Sequence, residues 1–164
     1  MSLNNITTCL WFDGQAEAAA NHYISIFKNS KITTKQLSKD AGKEIHGHEP
    51  GRVMVVEFEL NGHKFVGLNG GPHFKFNEAI SFQIDCSNQE EVDYYWDKLG
   101  EGGDESKRRC GWLGDKFGIS WQVVPTVLKK MLGDEDKEKA TRVTAAMMGM
   151  KKMDIAGLQK AFDG

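Results

Sequence analysis

The feature that most constrains this chain is a pattern that starts twice: a strand, a cap and a helix beginning at Ile6 begin again at Ile80. Ile6 to Phe12 is rich in β-branched and aromatic residues, with Leu10 and Phe12 on one face and Thr7, Cys9 and Trp11 on the other, as a strand requires. Asp13-Gly14 ends it, and Ala16, Ala20, Tyr23 and Phe27 then fall at helical spacing. Ile32 to Leu37 reads as a second strand, and Ser38 to Gly51 as a polar surface loop or flap. Val53 to Leu60, Asn61-Gly62 and Lys64 to Leu68 form a hairpin, because Asn-Gly supplies the positive φ angles that a tight turn needs. Asn69-Gly-Gly-Pro72 breaks the chain.

The second half repeats the order. Ile80 to Cys86 is a strand, Ser87 with Glu90 three residues on is a capping box, and Val92, Tyr95, Trp96 and Leu99 form a helical stripe. Superposing Ile6 on Ile80 also aligns Gln15 with Gln89 and Glu17 with Glu91. A second echo sets Lys64-Phe65 and Pro72 against Lys116-Phe117 and Pro125. Both echoes point to an internal duplication of roughly 75 residues. Ser106 to Leu113 and Ile119 to Val124 are the second half's hairpin strands, and Pro125 opens a helical tail. Val127, Leu128, Met131 and Leu132 form its first apolar face, Ala140, Val143, Met147 and Met150 continue it, and Asp154 caps a last turn. The methionines of this tail read as core filling or subunit packing.

A chain of 164 residues with 40% hydrophobic content can bury one substantial core without disulfides. Lys and Arg number 21 against 23 Asp and Glu, with the signs interspersed, so no basic face for nucleic acid is present. No apolar run approaches the length needed to cross a bilayer, and a soluble, cytoplasmic protein is expected. Cys9, Cys86 and Cys110 have no CxxC spacing and are expected to be reduced thiols.

If Leu10 and Phe12 face the first helix, the period of two turns Thr7, Cys9 and Trp11 away from it, and likewise Ser81, Gln83 and Asp85 away from the second. Two such halves, paired, would place these residues along a U-shaped cleft, with Trp112 and Trp121 as further flat apolar surface and Trp121 the weaker because neighbouring Gln122 faces the other way. His22, His46, His48, His63 and His73 are scattered, so no metal is expected; His46 and His48 could chelate an ion from the flap. Cys110, beside Arg108 and Arg109, and Cys9 are candidate nucleophiles, and Asp85 and Asp115 candidate bases, Asp115 being equally a turn residue. No glycine-rich fingerprint joins a strand to a helix, and no cofactor is expected.

Ile6-Thr-Thr-Cys-Leu-Trp-Phe-Asp-Gly-Gln-Ala-Glu-Ala-Ala19, Leu68-Asn-Gly-Gly-Pro72 and above all Cys110-Gly-Trp-Leu-Gly-Asp-Lys-Phe-Gly-Ile-Ser-Trp-Gln-Val-Val-Pro125 resemble the PhnB-like, 3-demethylubiquinone-9 3-methyltransferase-like branch of the vicinal-oxygen-chelate superfamily, which also holds glyoxalases, bleomycin-resistance proteins and dioxygenases. The resemblance implies an α+β fold of two paired βαβββ modules, here residues 4–72 and 79–125, with a helical tail over 125–164, and usually a homodimer. In metal-dependent members His or Glu ligands lie on the first and last strand of each module. Those places carry over to Thr7, the neighbourhood of Asn69, Ser81 and Gln122, none a strong ligand for a divalent ion. The expected function is metal-independent binding of a planar or hydrophobic small molecule by Thr7, Cys9, Trp11, Asn69, Ser81, Gln83, Asp85, Trp112 and Gln122, with or without catalysis. The alternatives are a methyltransferase-like or lyase enzyme and a drug-sequestering resistance protein. The chain offers no recognisable site for a methyl donor.

Overall fold

The computed structural model describes residues 6–39, 47 and 49–164. His46, His48 and most of the flap lie outside the described residues. The chain divides into two compact units, one ending at Phe76 and the other beginning at Asn77.

The first unit runs β1 (Thr8–Phe12), α1 (Ala16–Ile26), β2 (Lys31–Leu37), β3 (Val53–Leu60) and β4 (His63–Asn69). Its sheet has the order β1-β4-β3-β2, β1 lying parallel to β4 and the other neighbours antiparallel. The turn between β3 and β4 is the one its sequence dictates, with Asn61 at φ 46° and Gly62 at φ 85°. Helix α1 buries Ala16, Ala19, Ala20, Tyr23 and Ile26. The stripe ends on Ile26, since Phe27 is already the extended residue that closes the helix. Against it lie Leu10, Phe12, Val56, Phe58, Leu60 and Phe65, every second residue of three strands, and these make the unit's core.

The second unit repeats the plan with β5 (Phe82–Cys86), α2 (Gln89–Gly100), β6 (Asp104–Arg109), β7 (Trp112–Gly114) and β8 (Ser120–Pro125), in the order β5-β8-β7-β6 with β5 parallel to β8. The α+β fold thus has two βαβββ modules, one in each half. Three local readings change. The cap of α2 is Asn88, whose side chain accepts the Glu91 N–H at 2.9 Å, while the Glu91 carboxylate accepts the Ser87 N–H at 2.7 Å. The stretch from Ser106 to Leu113 is two strands, divided by a turn at Cys110 (φ 50°) and Gly111 (φ 80°). Ile80 stands outside β5, exposed.

The registers also decide between the two repeat echoes. Thr8 pairs with Phe65 and Phe12 with Asn69; Phe82 pairs with Trp121 and Cys86 with Pro125. The first echo therefore holds, and the second does not. The counterpart of Pro125 is Asn69 and not Pro72, because Lys64-Phe65 lies inside β4 whereas Lys116-Phe117 lies in the turn before β8.

Beyond β8 the tail forms α3 (Thr126–Leu132), α4 (Lys137–Met148) and α5 (Ile155–Asp163). It is bound into the second unit by specific ties. The backbone N–H groups of Cys110 and Gly111 donate to the carbonyls of Met150 and Lys151, both at 2.8 Å. The Gln89 amide accepts the Ile155 N–H at 2.9 Å and donates to the Met153 carbonyl at 3.0 Å. Buried Leu128, Met131, Val143, Met153 and Leu158 fill the space beneath, while Val127, Ala140, Met147 and Met150 are half-buried. Leu132 and Met148 are exposed. Among the described residues no helix is long and apolar enough to cross a membrane.

Candidate functional site

Each sheet has one face against its helix and one turned the other way, and the period of two assigns the residues. On the second face of the first sheet lie Cys9 and Trp11 of β1, Val66 and Leu68 of β4, and Val55 and Glu57 of β3. Thr7 stands just before β1, and both it and Cys9 are exposed. Trp11 is fixed by its own unit: its indole N–H donates to the Gly71 carbonyl at 2.8 Å, and its ring meets Phe74 edge-on at 4.9 Å. It also lies flat on Gly70, where an added Cβ would fall 2.1 Å from the ring. Burial raises the Cys9 thiol pKa, away from thiolate.

Asn69 does not share this face. Its place opposite Phe12 turns it to the helix side, where it is 3% exposed. Its amide oxygen accepts the Ala16 N–H at 2.9 Å and its amide nitrogen donates to the Val53 carbonyl at 2.8 Å. It ties the first turn of α1 to β3, satisfying a donor that the helix leaves open. The residue occupying the outer position beside it is Leu68.

On the second sheet the corresponding face is polar. Gln83 and Asp85 of β5, Ser120, Gln122 and Val124 of β8, and Trp112 of β7 share it. The Gln122 amide donates to the Ser81 hydroxyl at 2.8 Å, and Gln83 donates to the Asp85 carboxylate at 2.7 Å. Lys129 of α3 donates to both carboxylate oxygens of Asp85 at 2.6 Å. The Lys129 ammonium, helped by the Gln83 amide, holds the Asp85 carboxyl below its ordinary pKa, so it is an ionised acceptor at neutral pH.

Next to this row a cavity of about 490 Å³ opens on β6, β7 and β8. Trp112, Ser120, Lys107, Arg109, Cys110 and Glu78 are among its lining residues. Arg109 pairs across the hairpin with Trp112, which pairs in turn with Gln122, so the three stand side by side. The Lys107 stem lies over Gly114, where a Cβ would meet it at 2.8 Å, and its ammonium reaches Glu78 at 2.6 Å. Lys107 and Ser120 carry no sequence signal of their own, and Arg109 stands out only as a neighbour of Cys110, as long as Ser106 to Leu113 is read as one strand. The one signal for the turn was Gly111; with Cys110 it fixes which basic residues alternate outward.

The candidate catalytic groups are placed as follows. Asp115, 3% exposed, accepts the N–H groups of Phe117 and Ile119 and the Trp121 indole N–H at 2.8–2.9 Å, so it organises the turn before β8. Trp121 is buried on the helix side. Arg108 also turns to that side, donating to the Gly100 carbonyl, pairing with Glu105 and lying over Trp96. Cys110 has Met148 beside it, with the carbonyl at 3.8 Å and the sulfur at 3.9 Å. Burial pushes the Cys86 thiol up to about 12.

The positions carried over from metal-dependent relatives do not make a metal site. Ser81 and Gln122 are bonded to each other. Cys9 pairs with Val66 as Gln83 does with Gln122, so the first-unit counterpart of Gln122 is apolar Val66. Among the described residues no three His, Cys, Asp or Glu side chains converge to hold an ion.

A family model described as 3-demethylubiquinone-9 3-methyltransferase matches residues 4–124. Among solved structures the chain is similar to the PhnB protein of Bacillus cereus, named for that same methyltransferase, at 32% identity and a TM-score of 0.63, covering 75% of this chain and 100% of that one. The fosfomycin resistance protein FosX of Mesorhizobium loti matches at 10% identity and TM-score 0.52, over 82% of this chain and 100% of that one. FosX of Listeria monocytogenes matches at 16% and 0.50, over 80% and 98%. At such identities these two speak to the fold alone. No curated protein matches the chain.

Proposed function

The chain belongs to the 3-demethylubiquinone-9 3-methyltransferase family, in the PhnB-like branch of the vicinal-oxygen-chelate superfamily, and we propose that it binds a small molecule on the outer face of its second sheet without a metal ion. The observation that carries this is the cavity of about 490 Å³ floored by β7 and β8, with Trp112 beside the joined amide and hydroxyl of Gln122 and Ser81. A volume of that size suits a compact organic ligand, and one aromatic surface with a few fixed polar groups is the usual lining of such a site. Gln83 and Asp85 extend the polar row, while Thr7 and Cys9 are exposed on the matching face in the first unit.

Methyl transfer, the activity in the family's name, would require a site for a methyl donor, and no residue set on this face supports one. We further propose a homodimer, a state read by light scattering on the purified protein. The binding proposal is tested by protein-observed NMR against a library of small aromatic compounds, together with elemental analysis of the purified protein. Shifts are expected at Trp112, Ser120 and Gln122, with divalent metal well below one ion per chain. A stoichiometric ion lost on Gln122→Ala would overturn the metal-independent reading.

A further inference from the structure

Resting on that reading, we infer that the cavity of the second sheet selects an oxyanion, a carboxylate or phosphate, carried on a flat apolar body, with Arg109 as its counter-charge. Three observations carry it. The charged residues lining the cavity are Lys107, Arg109 and Glu78, and Lys107 and Glu78 neutralise each other at 2.6 Å. Arg109 is exposed, and among the described residues no carboxylate pairs with it. The cavity therefore keeps one uncompensated positive charge, on the side chain whose planar fork of donors matches a two-oxygen anion.

The second observation is Ser120. It lies on the cavity side of β8, opposite Gly114, and lines the cavity, and among the described residues its hydroxyl makes no hydrogen bond. A hydroxyl that lines a cavity and makes no bond within the protein can donate to whatever enters. The nearby Ser106 hydroxyl is already donated to Asp104 at 2.7 Å, so it can only accept. Ser120 is thus the cavity's neutral donor to a second oxygen.

The third is the pairing of Arg109 with Trp112 across the turn at Cys110 and Gly111. Both side chains emerge on the same face, so a ligand lying flat on the indole carries its substituent toward the guanidinium. Lys107 and Glu78 line the cavity as a neutral pair. A neutral ligand could use Trp112 but would leave Arg109 and Ser120 without the partner they are built for.

The test is a titration of the full-length protein at low salt with benzoate, phenyl phosphate and neutral benzamide, followed by NMR and calorimetry. The two anions are expected to bind more tightly than benzamide by roughly tenfold, with affinity falling as salt rises. Arg109→Gln should remove that advantage while leaving benzamide unaffected, Ser120→Ala should weaken the anions several-fold, and Arg109→Lys should restore part of it. Thermal melts confirm that each variant is folded; Arg109 is exposed, so its substitution leaves the core intact. The tighter of the two anions identifies carboxylate or phosphate as the preferred group. Benzamide bound as tightly as the anions, with Trp112→Ala abolishing both, would overturn the anion selectivity and leave the site standing. No shift at Trp112 or Ser120 with any of the three probes would overturn both.

Discussion

The two units share a backbone plan and differ in what they place on its outer face. At matching register positions Cys9 stands where Gln83 does, Trp11 where Asp85 does, and Val66 where Gln122 does. In the first unit the part of this face around Trp11 is apolar, with Val66, Leu68 and Val55, and its aromatic residue is held down by Gly70, Gly71 and Phe74. In the second it is polar, and its aromatic residue borders an open cavity beside Arg109. One topology thus serves as a packed wall in one copy and as a candidate binding surface in the other, so function lies in the side chains and not in the fold.

The largest contrast to test is between the two faces of a strand. Cys86 lies on the helix side of β5 and its thiol is pushed up to about 12. With thiolate so scarce, alkylation at pH 8 is expected to be slower than for an ordinary thiol by about three orders of magnitude. Cys9, exposed on the outer face of β1, should be modified before Cys86. Mass spectrometry after timed iodoacetamide treatment reads the order, and equal rates would break the assignment of faces.

The locked state of Trp11 comes next. Gly70→Ala would set a methyl group 2.1 Å from the indole, so the ring must leave, at a cost of about 3 kcal/mol. Denaturant unfolding followed by tryptophan emission measures this. In the second unit, Asp115→Asn would turn an amide donor toward the Trp121 indole N–H or toward the turn's own N–H groups, costing about 2 kcal/mol. If Gly70→Ala cost nothing, the first face would be as open as the second and the comparison would fail.

The smallest effect concerns Asp85 and Lys129. The folded carboxyl pKa lies below the ordinary 3.8, so the pair's contribution is complete above that value and lost as the pH falls through the folded one. Both side chains are about half exposed, and solvent screening keeps the contribution well under 1 kcal/mol. Lys129→Met should therefore lower stability slightly at pH 7 and leave it unchanged near pH 2, as followed by urea unfolding.

Much of this was legible in the chain. The alternation of Leu10 and Phe12 against Cys9 and Trp11, the Asn61-Gly62 turn and the alignment of Ile6 with Ile80 follow from local chemistry, and the structure keeps them. What misled was repetition of residue type without repetition of place: Lys64-Phe65 lies in a strand and Lys116-Phe117 in a turn. That false match set Asn69 in the binding wall, although a strand register shifted by one residue moves a side chain to the opposite face. The cavity was hidden for a similar reason. Cys110 adopts a positive φ that cysteine rarely takes, so its turn, and with it the outward alternation of Lys107 and Arg109, was not marked by the usual residues.

The central claim is that the second sheet's outer face is where a ligand sits. Amide and indole NMR shifts on titrating benzoate into the full-length protein test it most directly. The account predicts the largest changes at Trp112, Ser120 and Gln122; changes elsewhere with these three unmoved would contradict it.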